Sequence, residues 1–544
     1  MKIPEPEFTS RRSPVYGRRG IVAASQPLAV AAGLKILEQG GNAADAAVAT
    51  VAGLNVTEPG STGLGGDCFA LFYDARTRQV SALNGSGRAP RALNLERVQQ
   101  AGFTHKLPPY HAYNVTVPGA CAGWCDLVER FGHLPLTKTL APAIQLAEEG
   151  FPVSPLTAYN WQKAAQTQLC QSLNGIEMTI DGRGPQAGEI FRNPGLARAM
   201  RAIAEGGKKA YYEGSIAEGV VDILTEAGGC MQLQDLANHH STWEQPISVT
   251  YRGLRIWECP PNGQGIATLL ALNLLEGFDL AALAPLSAAR LHLEIEAMRL
   301  AFADTRYYVA DPACVDVPVE ALLDKNYASQ RRGLINPLLA NPRVSYGIPH
   351  ASSDTVYLSV VDGEGNACSF INSNSASFGT GIVPRGWGFT LQNRGNNFSL
   401  DPKAPNVLAP GKRPYHTIIP AMATYAENDC LYASFGVMGG FMQPQGHLQV
   451  VIAMLEDGFD PQAALDLPRF CIEAEHMVGP IALEEGISVQ TMAALADMGH
   501  TVRPVSGWGR GMFGRGQIIR RDPATGVLCA GSDPRADGCA MSLV

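Results

Sequence analysis

The chain has 544 residues, 46% of them hydrophobic and 17% charged, with a formal net charge of −8 and a pI near 5.8. That length exceeds the usual single core, so two domains or one large layered domain is expected, and the composition is globular rather than disordered. No basic block exceeds a pair such as Arg18-Arg19, and no apolar run approaches the about 18 residues a membrane helix needs. Nucleic acid and membrane are therefore excluded as expected partners.

The first twenty residues, "MKIPEPEFTSRRSPVYGRRG", hold no apolar run and do not read as a secretory signal, so a cytoplasmic protein is expected. The 12 cysteines are scattered with no C-x-x-C, and Cys121 and Cys125 form the closest pair. Reduced, mostly buried thiols are expected rather than disulfides or zinc ligands. His239 and His240 lack metal spacing and read as surface residues. No cofactor and no metal site is expected.

In chain order, residues 27–55 read as two Ala-rich helices, with Gly40-Gly41 ending the first and Asn42 capping the second. "TEPGSTGLGGDCFALFYDA" (57–75) is a Gly-rich loop entering a strand. Its spacing fits neither a dinucleotide fingerprint nor a P-loop, so its glycines are expected to serve close backbone packing. Residues 120–345 read as mainly helical, interrupted by the strand-like "ISVTYRGLRIWECPP" at 247–261. Residues 331–354 lose periodicity, collect Pro, Asn and Ser, and end on Asp354. "TVYLSVVDGEGNACSF" then gives two strands around an Asp362–Asn366 turn.

A loop that feeds into Thr355 at the head of a strand points to one chemistry. A hydroxyl needs a base to become a nucleophile. If the chain is cut before Thr355, the new α-amino group lies within reach of the hydroxyl of the same residue. Its reference pKa of about 7.7–8.0 leaves a useful neutral fraction near pH 7. The cut can be self-made: the Thr355 hydroxyl attacks the Asp354 carbonyl, the acyl group moves from N to O, and water hydrolyses the ester. Spacing alone does not separate this from a threonine that merely begins a strand.

The stretch "DTVYLSVVDGEGNA" with "FGTGIV" resembles the start of the small subunit of the γ-glutamyltransferase (glutathione hydrolase) family of N-terminal-nucleophile hydrolases. "GGNAADAAVA", "EPGSTGLGGD", "YYEGSIAEGVV", "GKRPYHTIIPAM", "GVMGGFMQPQGH" and "GSDPRADG" extend the resemblance along nearly the whole chain. It implies an α+β fold, a four-layer αββα sandwich forming one large domain. Self-cleavage would divide it into a large subunit, 1–354, and a small subunit, 355–544. The partners implied are these two subunits and a small-molecule amide, with homo-oligomerisation left open.

By position, the resemblance makes Thr355 the nucleophile and Ser373 the hydroxyl that assists it. Gly439 and Gly440 become the backbone oxyanion hole. The acyl-holding positions depart from glutathione-active relatives. Ser86 stands where they carry arginine, with Arg88 two residues on. Ser375 and Asn397 stand where an asparagine and an aspartate hold the α-ammonium. His416 and Thr417 replace tandem serines, and Arg394 replaces a neutral or acidic residue. Losing a bidentate arginine or a buried counter-ion costs several kcal/mol of binding.

The resemblance thus implies a self-processing γ-glutamyltransferase-like amidohydrolase. An amidohydrolase for an oxamate-, glutaryl- or cephalosporin-type amide, or a family-fold binding protein without catalysis, remains in contention. An asparaginase-like threonine hydrolase also cuts at Asp-Thr but draws no support from the rest of the chain. "NGSGRAP" and "PPNGQG" resemble divergent branches rather than glutathione-active members.

Overall fold

The computed structural model describes residues 12–344, 354–473 and 479–544. Two seven-stranded antiparallel sheets face each other. In the first, strand order is Cys539–Ser542, Gly20–Ala24, Asp354–Asp362, Ala367–Ser375, Asp67–Asp74, Gln79–Gly85, Thr242–Glu244. In the second it is Val15–Gly17, Leu528–Ser532, Arg515–Arg521, Leu431–Met438, Ala421–Tyr425, Leu254–Glu258, Ile247–Tyr251. Both sheets interleave strands from before and after residue 354, so neither half of the sequence owns a sheet.

Helices cover both outer faces, completing the αββα order. Asn42 caps the helix Ala43–Thr57 through a capping box with Asp45. Every residue of this helix is buried, which suits an alanine-rich sequence with no polar stripe. It crosses Pro27–Glu38 at glycines: a Cβ on Gly33 would lie 2.2 Å from Thr50 Oγ1. On the other side, the helices Ile266–Leu275, Ala288–Tyr308 and Met442–Leu455 cover the second sheet.

The core is accordingly three apolar layers, and the alternation in the central strand sorts its residues between two of them. Val356, Leu358 and Val360 join the layer under the first helices, while Tyr357 and Val361 face the second sheet. The polar member, Ser359, is fully buried because its face meets the other sheet, where it bonds Ser434 Oγ at 2.7 Å. A strand covered on both faces buries even the polar half of an alternating pattern.

Of the segment 331–354 that feeds Thr355, the helix Lys325–Arg332 takes the first two residues, and residues 345–353 lie outside the described residues. All 12 cysteines are free thiols, most of them buried. No described helix is long and apolar enough to cross a membrane.

Candidate active site

The site forms where the two sheets meet at one end. Asp67, Ser373 and Thr355 have the same parity as the residues that face the second sheet, and Asp67 pairs with Ser373 in the ladder. Asp354 pairs with Ser375 and Val356 with Asn372, so Ser373 and Asn374 oppose the single residue Thr355 and the strand Ala367–Ser375 carries a bulge there. Bulges re-aim side chains beside functional sites. Here the bulge brings Thr355 Oγ1 to 3.0 Å from Ser373 Oγ, both fully buried. The Ser375 N–H donates to Ser373 Oγ at 2.9 Å, and Ser375 itself sits at φ +77°.

Contacts between the sheets place the glycine pair. Ser359 meets Ser434, and a Cβ on Gly436 would lie 2.6 Å from the Tyr357 ring. Gly439 and Gly440 follow Met438 directly at the end of the strand that makes these contacts. Their φ values of +136° and +60° belong to the glycine-favouring half of backbone space. Gly439 O accepts from Met442 N at 3.0 Å, so the trans peptide turns the Gly440 N–H away from the helix Met442–Leu455. Neither glycine N–H has an acceptor among the described residues, as a site for a developing oxyanion requires.

Arg394 lies against the nucleophile pair and is fully buried. Its Nη2 donates to Ser373 Oγ at 3.0 Å and its Nη1 to Thr417 Oγ1 at 2.7 Å. Its Nε–H meets no acceptor among the described residues. Burial lowers its pKa to about 10, opposed by the negative field of Asp67, and it remains a cation at neutral pH.

Asp67 is the residue that sequence reasoning missed. Its Oδ1 accepts from the N–H groups of Gly87 at 3.0 Å and Gly119 at 3.2 Å. Its Oδ2 meets His416 Nε2 at 3.1 Å. Burial pushes its carboxyl up to about 6, against the pull of Arg394 and of those N–H groups. His416 is held well below the usual imidazole range by burial and by Arg394 and Arg413, so it is neutral. Its Nδ1 accepts from Ile418 N at 3.4 Å, which leaves the proton on Nε2, donated to Asp67. The signal was present in "GGDCFALFY": Asp67 alternates with Phe69, Leu71 and Tyr73, so it had to face the same interior.

The remaining expected residues direct their hydrogen bonds to groups other than Thr355 and Ser373. Ser86 is fully buried, donates to Asn84 Oδ1 at 2.7 Å, and its carbonyl accepts from Arg413 Nε at 3.1 Å. Arg413, also absent from the sequence reasoning, leaves a buried Nη2 without an acceptor among the described residues. Arg88, the other arginine named beside the acyl-holding positions, is half-buried. Asn397 turns its amide to Tyr415 O at 3.0 Å. His240 is exposed, but the His239 ring packs on Tyr212, and its Nε2 is buried rather than at the surface.

This arrangement supplies a hydroxyl pair, a backbone anion site and one buried guanidinium. The Gamma-glutamyltranspeptidase family pattern matches residues 29–543. The chain is 36% identical over 534 residues to the glutathione hydrolase-like YwrD proenzyme of Bacillus subtilis, covering 97% of this chain and 99% of that one. It is 32% identical over 532 residues to the oxamate amidohydrolase proenzyme of Klebsiella pneumoniae, covering 96% and 98%. Its fold superposes on the cephalosporin acylase from Bacillus halodurans with a TM-score of 0.92 and 44% identity, over 99% of both chains. The chain belongs to the γ-glutamyltranspeptidase family, with its N-terminal-nucleophile hydrolase fold.

Proposed function

We propose that this protein is a self-processing amidohydrolase that splits between Asp354 and Thr355 into residues 1–354 and 355–544. The freed Thr355 α-amino group takes the proton of Thr355 Oγ as that oxygen attacks a small amide. Gly439 and Gly440 N–H groups receive the oxyanion, and the α-amino group passes the proton to the departing amine. Water then releases the acyl group by the same route. The proenzyme names of the relatives support the precursor reading.

We further propose that the acyl group carries a carboxylate and no ammonium. The observation that carries this is Arg394, buried and bonded to Ser373 Oγ, which is itself 3.0 Å from Thr355 Oγ1. A guanidinium there is preorganised for a carboxylate, and Asn397 and Ser375 offer no negative charge to an ammonium. By name, the relatives span glutathione hydrolases, acylases and an oxamate amidohydrolase, which supports a family that admits different acyl groups.

The test is a substrate panel on processed protein: γ-glutamyl anilide, glutaryl amide and oxamate-type carboxyl amides, with amine or ammonia release measured. Faster hydrolysis of the carboxyl-only amides supports the reading. Efficient glutathione hydrolysis with the carboxyl-only amides ignored would sink it. Processing without hydrolysis of any substrate would favour a binding protein of this fold.

A further inference from the structure

We infer that Gln264 is a positioning residue that aims the oxyanion glycines and the Arg394-holding loop at one another. The inference rests on the amidohydrolase reading above. Gln264 sits in "PPNGQG", between the strand Leu254–Glu258 and the buried helix Ile266–Leu275, and is fully buried. Its Nε2 donates to Gly440 O at 2.9 Å and to Thr417 O at 2.7 Å. Its Oε1 accepts from Tyr415 OH at 3.2 Å, and its backbone N–H donates to His416 O at 3.0 Å.

Both amide hydrogens are therefore spent on two loops, which also meet where Gln443 Oε1 accepts from Ile419 N at 2.9 Å. One loop carries the glycine pair. The other carries Thr417, whose hydroxyl accepts from Arg394 Nη1 at 2.7 Å. Gly440 O is shared between Gln264 and Gln443 N, the latter at 3.2 Å. Gly439 O, held by Met442 N, fixes the Gly440 N–H of the same peptide plane, and Gly440 O, held by Gln264 and Gln443, fixes the next peptide plane, so Gly440 is clamped between two held planes. Only a side-chain amide offers two donors and an acceptor from one group. Leucine keeps the volume and loses all three bonds. Glutamate keeps the shape but turns a carboxylate towards two carbonyl oxygens, and regains one donor when protonated.

The test compares processed wild type, Gln264→Leu and Gln264→Glu on the same carboxyl amide across pH 5–8, with melting temperatures recorded. Gln264→Leu should lower kcat on the order of 10- to 100-fold with KM changed less than about threefold, because misaimed oxyanion donors act on the transition state. The kcat of Gln264→Glu relative to wild type should rise as pH falls and the carboxyl gains its proton. A Gln264→Leu enzyme within twofold of wild-type kcat, or a Gln264→Glu ratio flat with pH, would overturn the inference. If Gln264→Leu does not fold, the Gln264→Glu ratio decides alone. Wild type that neither exposes an N-terminal Thr355 nor hydrolyses an amide overturns the amidohydrolase reading and this inference with it. Active wild type with indifferent Gln264 variants overturns this inference only.

Discussion

The two halves of the site are built from different materials. Around Thr355 the groups are hydroxyls and backbone: Ser373 Oγ, the Ser375 N–H, and Gly439 and Gly440. Around Arg394 they are buried charges and a neutral imidazole: Asp67, His416 and, further off, Arg413. Burying a hydrogen-bonded hydroxyl costs little, whereas a buried charge depends on each partner it has. The first half can stay fixed while the chemistry stays fixed. On the proposed reading, exchanging one charged side chain in the second half should change which acyl group is tolerated, although Arg394 also donates to Ser373 Oγ.

The largest expected effect tests the hydroxyl half. Thr355→Ala removes the attacking oxygen and, with it, both processing and turnover, a loss on the order of 10⁴-fold or more. A denaturing gel should show one chain for the variant and two for wild type, with threonine at the new N-terminus. An alanine variant that still splits after Asp354 would show that another group makes the cut.

Arg394→Met tests the charged half and should separate it from the first. Removing one member of a buried charge network typically costs about 2–5 kcal/mol, or about 30- to several-thousand-fold in kcat/KM. The loss should fall on carboxylate-bearing amides, while self-cleavage proceeds because Thr355 and Ser373 keep their contact. If cleavage and hydrolysis fall together, the two halves are not independent and the contrast drawn here is wrong.

The two halves also differed in how well the sequence revealed them. Thr355 was legible as a candidate because the motifs around it resemble the family's small-subunit start; its place at the head of a strand did not by itself separate it from an ordinary strand residue. The helix pair was legible from local rules, and Asn42 caps where the pattern placed it. In the charged half Arg394 and His416 were named from the resemblance, but Asp67 and the contacts that join them were not, because those contacts link residues far apart. Asp67 and His416 are 349 positions apart, and Arg394 and Ser373 are 21 apart. "GLGGD" and "PPNGQG" stood in plain view, but Asp67 and Gln264 acquire roles only from the loops that the fold brings to them. Ser86, a candidate for direct contact with the acyl group, turns its hydroxyl to Asn84.

Gly440→Ala should lower turnover at least tenfold with little change in KM, since the added methyl group displaces the oxyanion. Gly439→Ala is the less informative variant. Its φ of +136° and a Cβ only 3.2 Å from Gly514 Cα would disturb folding as well. Unchanged kcat in Gly440→Ala would remove this glycine from the mechanism and leave the hydroxyl half without its electrophilic partner.

The smallest effect concerns Asp67, and its sign can be worked out. The carboxyl is raised to about 6 from an ordinary 3.8. The folded state therefore binds this proton more tightly than the unfolded chain does. The stability it contributes is fully present below about pH 4 and is lost as pH rises through 6, on the order of 3 kcal/mol at most. Asp67→Asn is neutral throughout, so its melting temperature relative to wild type should climb between pH 4 and pH 7. The same titration bears on binding. An ionised Asp67 partly cancels the field of Arg394 and repels an incoming carboxylate. Wild-type KM for a carboxyl-only amide should therefore fall as pH drops through 6, while that of Asp67→Asn stays low and flat over the same range. Parallel KM profiles for the two proteins would show that Asp67 does not set the charge Arg394 presents, and that the acyl-holding half is governed by Arg394 alone.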